Sequence, residues 1–198
     1  MNMKNLWLYI FSISILLLTA CDDFPLPQMP SWGYLTADMN GKDWSKTYKN
    51  AYQTIQAWDS NDNVSDTFVI MADLYNPYGA RRQELYFQNI PSEKGHYTML
   101  KDIPYENKYD RFVYGSLYTL VSDGDASGDT YSVLDTEKAF FQIDEAITKT
   151  REIKGTFQVT FVINKPRYDT ALPDTLRFRN GKFHTKIMEH KRRNRKLL

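Results

Sequence analysis

Gly155-Thr156-Phe157-Gln158-Val159-Thr160-Phe161-Val162-Ile163, read as GTFQVTFVI, decides the fold class. Phe157, Val159, Phe161 and Ile163 recur every second residue, with Gln158, Thr160 and Val162 between them. A strand places alternate side chains on opposite faces, so these four apolar groups line one side. A helix would scatter them around its circumference. The stretch therefore predicts a half-buried antiparallel strand.

The same period runs outward along the chain. Leu176-Arg177-Phe178-Arg179 alternates, Asn180-Gly181 carries the strongest short hairpin signature, and Phe183, Thr185 and Ile187 continue beyond it. Asn40-Gly41 repeats the device between Gly33–Met39 and Asp43–Thr47. Further strands are expected at 51–58, 67–75, 84–89, 111–122, 130–134 and 138–143. In 111–122, Phe112, Tyr114, Ser116, Tyr118 and Leu120 share a face. Asp144–Arg151 is the one stretch with a helical reading, and it is short. Short strands separated by Asn-, Asp-, Gly- and Pro-rich turns predict an all-β chain: a single antiparallel sandwich or barrel-like domain.

Composition agrees. The 198 residues are 42% hydrophobic, 15% aromatic and 25% charged, enough for one packed core. The formal net charge of +1 gives no global field for nucleic acid, which is not an expected partner.

The N-terminus speaks about address. Lys4 precedes LWLYIFSISILLL, Leu6–Leu18, thirteen residues without a charge, and then Thr19-Ala20-Cys21. That run is shorter than the roughly 20 residues a spanning helix needs, and Asp22, Asp23 and Pro25 follow at once. A basic start, a short apolar run and small residues form a secretory signal, residues 1–20. Cys21 is the only cysteine, so an intramolecular disulfide is impossible and the core alone must hold the fold. Phe24–Pro30, FPLPQMP, places three prolines in a tether, residues 21–31, of roughly 3 Å per residue. The β domain then covers 32–188.

Leu18-Thr19-Ala20-Cys21 resembles a bacterial lipobox. The resemblance implies cleavage between Ala20 and Cys21 and acylation of Cys21, a palmitate-type anchor in the outer membrane. Two or more acyl chains anchor stably where one does not. Asp22-Asp23-Phe24 resembles the surface-export signal of Bacteroidetes lipoproteins, which implies the cell surface rather than the periplasmic face. Gly33–Trp44, with its Asn-Gly turn and tryptophan, is similar to the opening of small Bacteroidetes lipoproteins of the domain-of-unknown-function type. Leu85–Pro91, Gly95-His96-Tyr97, Ile153–Phe157 and Asn180-Gly181-Lys182-Phe183 fit the same pattern. That likeness implies a β-sandwich-like lipoprotein and carries over no catalytic residues.

Motifs with a mechanism are scarce. Asp123-Gly124-Asp125-Ala126-Ser127-Gly128-Asp129 resembles the first half of a calcium loop, making Asp123, Asp125, Ser127 and Asp129 a weak metal candidate. Its twelfth position is Leu134, which cannot be the bidentate ligand. The more ordinary reading is a polar hairpin loop. His96, His184 and His190 show no metal spacing. Gly124–Gly128 reads GDASG, with serine in the wrong place for a nucleophile elbow. No cofactor is expected. The expected role is a non-catalytic ligand-binding or accessory domain on a membrane anchor, with a protein or carbohydrate ligand. A glycan-binding surface module of a nutrient-uptake system is one alternative, and predicts an exposed row of aromatics. A carboxylate-based hydrolase is another, and predicts a pocket where carboxylates, or a carboxylate and a histidine, converge.

Tyr75, Tyr78, Tyr105 and Tyr109 fall in or near loops where rings could stack on a sugar, although strands claim most aromatics for packing. The tail Glu189–Leu198 holds Lys191, Arg192, Arg193, Arg195 and Lys196. Setting aside Lys4 and these five leaves 19 of the 25 basic side chains against 24 acidic ones, so the remainder is about −5. The tail is expected to lie free as a solvated end, to touch anionic headgroups, or to fold onto the acidic body.

Overall fold

The computed structural model describes residues 31–48, 52–60, 66–101, 112–164, 167–168 and 172–188. The signal, the lipobox, Asp22-Asp23-Phe24, nearly all of the tether, Tyr105, Tyr109, His190 and the basic tail lie outside them. The strands are β1 (Gly33–Met39), β2 (Lys42–Asp43), β3 (Tyr52–Asp59), β4 (Thr67–Tyr75), β5 (Arg81–Pro91) and β6 (Gly95–Leu100). They continue with β7 (Val113–Val121), β8 (Ala126–Val133), β9 (Phe140–Ile147), β10 (Glu152–Ile163) and β11 (Thr175–Met188). A 3-10 turn occupies Trp44–Lys46, and no α-helix occurs among the described residues. The all-β expectation holds. β6 is an addition to the expected strands.

The pairings close on themselves. β11 joins β3, then β4, β5, β7, β8 and β10 follow as neighbours, and β10 returns to β11. Such a circuit is barrel-like, and closure removes most exposed strand edges. β9 and β6 fill the wall between the first half of β10 and the start of β7. β1 covers the outer part of β11 and carries the two-residue β2.

Phe157, Val159, Phe161 and Ile163 are all buried, as the alternation requires. Rings from opposite walls meet inside. Phe87 of β5 lies 5.3 Å from Phe141 of β9 and 5.1 Å from Phe157 of β10, and Phe141 stacks on Phe183 of β11 at 4.6 Å. Trp44 is fully buried near the other end of the barrel, edge-on to Phe178. Its Nε1 donates to Gln83 Oε1 at 2.7 Å, and Gln83 Nε2 donates to the Tyr48 hydroxyl at 3.1 Å, so the buried indole N–H is satisfied.

Asn40-Gly41 forms the expected tight turn, with φ of 51° and 80°. Asn180-Gly181 does not. β11 runs unbroken through it, paired with β1 on one side and β10 on the other. Thr36 opposes Lys182 while Asp38 opposes Arg179, and Phe157 opposes Gly181 while Val159 opposes Phe178. β11 thus carries one extra residue against both neighbours: a β-bulge, with Asn180 at φ 54°. The expected hairpin is corrected to a bulge. A hairpin would have left one long strand, β10 or β1, without its partner. Asp144–Arg151 is likewise not helical: Ile147 pairs with Glu152 and Ala146 with Ile153, so β9 runs into a turn before β10. The core-facing residues of β7 include Val113 and Leu117, on the face opposite the aromatic series of that strand.

The bulge leaves no room at Gly181. A Cβ there would lie 2.6 Å from the Phe157 ring and from the Phe157 carbonyl oxygen, whereas a Cβ at Gly41 would meet nothing within 4 Å. Gly181→Ala is expected to cost about 1–3 kcal/mol in urea unfolding through overpacking. Gly41→Ala should cost roughly 1 kcal/mol, from its positive φ alone. A smaller loss at Gly181 than at Gly41 would contradict the bulge.

Candidate functional site

β1 points Leu35, Ala37 and Met39 inward, so Tyr34 faces outward, and Trp32 continues that outer series. Trp32 is 38% exposed and Tyr34 49%, large values for apolar rings on a strand. Tyr34 stands opposite His184 on β11, and His184 opposite Lys154 on β10. The His184 ring meets both aromatics edge-on, 5.0 Å from Trp32 and 6.0 Å from Tyr34. Its Nε2 lies 3.1 Å from Glu152 Oε2, and this hydrogen bond holds the Glu152 carboxyl below its ordinary pKa. The Thr185 hydroxyl donates to the Trp32 carbonyl at 2.9 Å, and the Trp32 N–H to the Ile55 carbonyl at 3.1 Å, so the indole is carried on a fixed backbone. Lys154 pairs with Glu145 at 3.0 Å beside the group.

Glu152 also lines a cavity of about 290 Å³ at the adjoining end of the barrel. Asp66, Ser92, Thr148 and Arg151 supply polar lining, and Ile147, Ile153 and Ile187 supply apolar lining. The volume is at the small end of ligand pockets, which run from roughly 300 Å³ upward. Arg151 is tied to Asp59 by an ion pair of 2.5 Å. The outer aromatic wall and the cavity therefore meet at one carboxylate. Flat exposed rings suit the apolar face of a sugar, and the carboxylate and cavity can take hydroxyl groups at its edge.

A second cluster lies on the outer face of β3, β4 and β5. Thr54, Asp73 and Glu84 stand in cross-strand register. Arg81 Nη1 lies 2.9 Å from Glu84 and 3.5 Å from Asp73. Tyr52 and Tyr75 stack beside them at 4.7 Å. Asp73 is only 1% exposed, and burial pushes its carboxyl up to about 6, with Arg81 opposing and Glu84 reinforcing the shift. Burial also raises Glu84, again against Arg81. This carboxylate pair is closed over by its neighbours and offers a substrate no surface at Asp73.

The calcium candidates divide between the β7–β8 turn and β8 itself. Asp123 and Asp125 share a hydrogen bond in the turn, which lowers the pKa of Asp123 and raises that of Asp125. Ser127 and Asp129 belong to β8. Asp129 is buried, accepts from the Tyr168 N–H at 2.6 Å and lies 3.8 Å from Arg167. No group of three or more His, Cys, Asp or Glu suited to a metal ion occurs among the described residues. His96 stacks on Phe140 at 4.9 Å and lies three strands across the sheet from His184, through β9 and β10 to β11. Tyr75 is engaged by Tyr52, and Tyr78 projects alone from the β4–β5 turn, 86% exposed. Trp32, Tyr34 and the His184–Glu152 pair were not singled out from the sequence. Their signal is two aromatics on the polar parity of a strand whose other parity is Leu35, Ala37 and Met39. No family model, curated protein or solved structure matches the chain.

Asp73 titrates higher in the folded than in the unfolded chain, so the fold binds that proton more tightly. Stability attributable to it is fully present below about pH 4 and is lost as pH rises through about 6. Asp73→Asn should therefore stabilise the protein at neutral pH by up to about 3 kcal/mol. The gain should vanish at low pH in melting curves. A destabilised Asn variant at neutral pH would mean that the Arg81 ion pair outweighs desolvation.

Proposed function

We propose that this chain is a lipid-anchored envelope protein whose barrel binds carbohydrate without catalysis, on the wall formed by Trp32, Tyr34 and His184. The observation that carries the reading is the pair of exposed rings on one face of β1, locked edge-on against a histidine that Glu152 orients. A ring held by packing loses little freedom when a sugar stacks on it, so its exposed face favours binding. The cavity beside Glu152 gives the wall a defined end, where a chain terminus or a branch can seat. The anchor half of the proposal rests on Leu18-Thr19-Ala20-Cys21, and the surface half on Asp22-Asp23-Phe24. Within a nutrient-uptake system such a module would hold polysaccharide at the cell surface.

A second reading has its own observation. A carboxylate and a histidine 3.1 Å apart at the lip of a cavity could exchange a proton with a bound glycoside. This hydrolase reading predicts new reducing ends when polysaccharide is incubated with the protein, and their loss in Glu152→Gln. The binding reading predicts none.

In native gels containing soluble polysaccharides, the protein should be retarded by at least one of them. Trp32→Ala and Tyr34→Ala should each weaken that retention by about tenfold; the melting temperature should change little in Tyr34→Ala, the more exposed ring, and fall modestly in Trp32→Ala, which loses its packing on His184. Retention that ignores both substitutions would sink the assignment to this wall. In cells, labelled palmitate should mark the wild type and not Cys21→Ala, and unlabelled wild-type protein would sink the anchor.

A further inference from the structure

Five strands, β1, β11, β10, β9 and β6, form one antiparallel layer in that order. Their pairings to the strands of the opposite wall are short: two residues between β11 and β3, two between β6 and β7, and three between β10 and β8. The layer therefore presents a broad outer face rather than the wall of a narrow cylinder. Trp32, Tyr34 and His184 stand at one side of that face. A second ring group stands at the other. His96 of β6 stacks on Phe140 of β9 at 4.9 Å, and the Lys138 ammonium lies 6.0 Å from the centre of the Phe140 ring.

The register joins the two groups. Thr36, Lys182, Thr156, Gln142 and His96 stand opposite one another in turn, one on each strand. Their chain neighbours Leu35, Phe183, Phe157, Phe141 and Tyr97 are buried, so all five point outward. Four strand spacings of about 4.8 Å make this row about 19 Å long. Tyr34, His184 and Lys154 form the next row along the strands. Hydroxyl, amide and ammonium groups thus connect one aromatic group to the other, and these are the groups that pair with sugar hydroxyls.

The charges on this face are not matched alike. Its carboxylates are engaged: Asp38 accepts from Asn180 at 2.8 Å, Asp144 from Gln142 at 2.5 Å and Glu145 from Lys154 at 3.0 Å, and Glu152 lies 3.1 Å from His184 Nε2. Lys182 and Lys186 flank His184 on β11, both exposed, and neither has an ion pair among the described residues. Lys186 stands opposite Glu152, whose carboxylate is turned to His184 instead. Lys138 is exposed too, with the Phe140 ring as its neighbour. The unmet charge of the face is therefore cationic, and it is spread between the two aromatic groups.

We infer that this face binds an acidic polysaccharide, a chain of carboxylated or sulfated sugars laid across β1, β11, β10, β9 and β6. His96 and Phe140 form a second stacking subsite, and Lys182, Lys186 and Lys138 hold the anions of the chain. The inference rests on the carbohydrate reading of the Trp32 wall, and it gives that ligand a charge and a path. Two observations carry it separately: the cross-strand row that links the two ring groups, and the ammonium groups left without an anion along it. A hydrogen bond from an ammonium to a carboxylate or sulfate is about twice as strong as one between neutral groups, so these lysines favour an acidic chain over a neutral one.

The test runs the full chain in native gels containing alginate, polygalacturonate, chondroitin sulfate or dextran sulfate. Methyl-esterified polygalacturonate and dextran are the uncharged counterparts, and polyacrylate is a polyanion without sugar rings. The inference predicts retention by at least one acidic polysaccharide, about tenfold weaker in about 0.5 M salt and for the uncharged chains. The carboxylated and sulfated probes tell the two kinds of anion apart. Lys182→Gln should weaken retention about threefold, and Lys182→Arg should restore it. His96→Ala and Phe140→Leu should each weaken it about threefold as well, although they lie four and three strands from Tyr34. His96 is exposed, so its removal should leave the melting temperature unchanged. Equal retention by the uncharged chains, or retention that ignores Lys182→Gln, overturns the acidic assignment and leaves the carbohydrate reading intact. Retention that Tyr34→Ala removes but His96→Ala and Phe140→Leu do not touch overturns the path across the five strands. Equal retention by polyacrylate overturns the inference too, since charge alone would then suffice. No retention by any polysaccharide, acidic or neutral, overturns both the inference and the reading beneath it.

Discussion

One extra residue in β11 governs the geometry on which everything else depends. A strand alternates its faces, so an inserted residue inverts which parity points inward. Before the bulge Leu176 and Phe178 face the core, and after it Phe183, Thr185 and Ile187 do. The inversion turns His184 outward, between Trp32 and Tyr34 and within reach of Glu152. Without it His184 would point among the phenyl rings and Phe183 into solvent. Asn180 accepts the positive φ that few other residues tolerate, and its side chain donates to Asp38 on β1 at 2.8 Å. Gly181 lets the chain pass against Phe157 where no Cβ would fit. β5 uses the same device: Asn89 at φ 57° shifts the inward series from Leu85 and Phe87 to Ile90.

The barrel separates two kinds of polar chemistry. At the site end, ionised groups are exposed and satisfied by partners across strands, so they remain available to solvent and ligand. On the outer face of β3 to β5, Asp73 is shut away with one guanidinium shared between two carboxylates, and desolvation dominates. The Glu137 cluster is a third case. Glu137 accepts from Thr160 at 2.7 Å, Arg177 at 2.9 Å and Arg179 at 3.2 Å, which pins the connection between β8 and β9 onto β10 and β11. Such a fully bonded group stiffens the wall and leaves little capacity for a ligand.

The period of two in Gly155–Ile163 and Leu176–Arg179 made the fold class legible, because burial on one face demands that alternation. The change of parity between Phe178 and Phe183 was legible too, as an Asn-Gly signature. It has two physical solutions, a two-residue turn or a bulge, and local sequence cannot choose between them. The choice lies in the long-range partners Thr36, Asp38, Phe157 and Val159, which only the assembled sheet supplies. The site was hidden for the same reason. His184 and Glu152 are 32 residues apart and meet only through the register of β10 with β11, and Trp32 joins them through β1. The Asp123–Asp129 segment shows the reverse case. Its local spacing offers a polar loop and, more weakly, a set of calcium oxygens, and in the fold Asp129 is buried on β8 against Arg167 and the Tyr168 N–H.

The functional account therefore stands on β11 being a single strand through Asn180 and Gly181. Nuclear Overhauser contacts in solution measure this most directly. The account predicts backbone contacts from Lys182 to both Thr36 and Thr156, and contacts from the His184 ring to Trp32 and Tyr34. Contacts between Arg179 and Lys182 across a two-residue turn, with none from Lys182 to Thr36 and Thr156, would contradict it and dissolve the site.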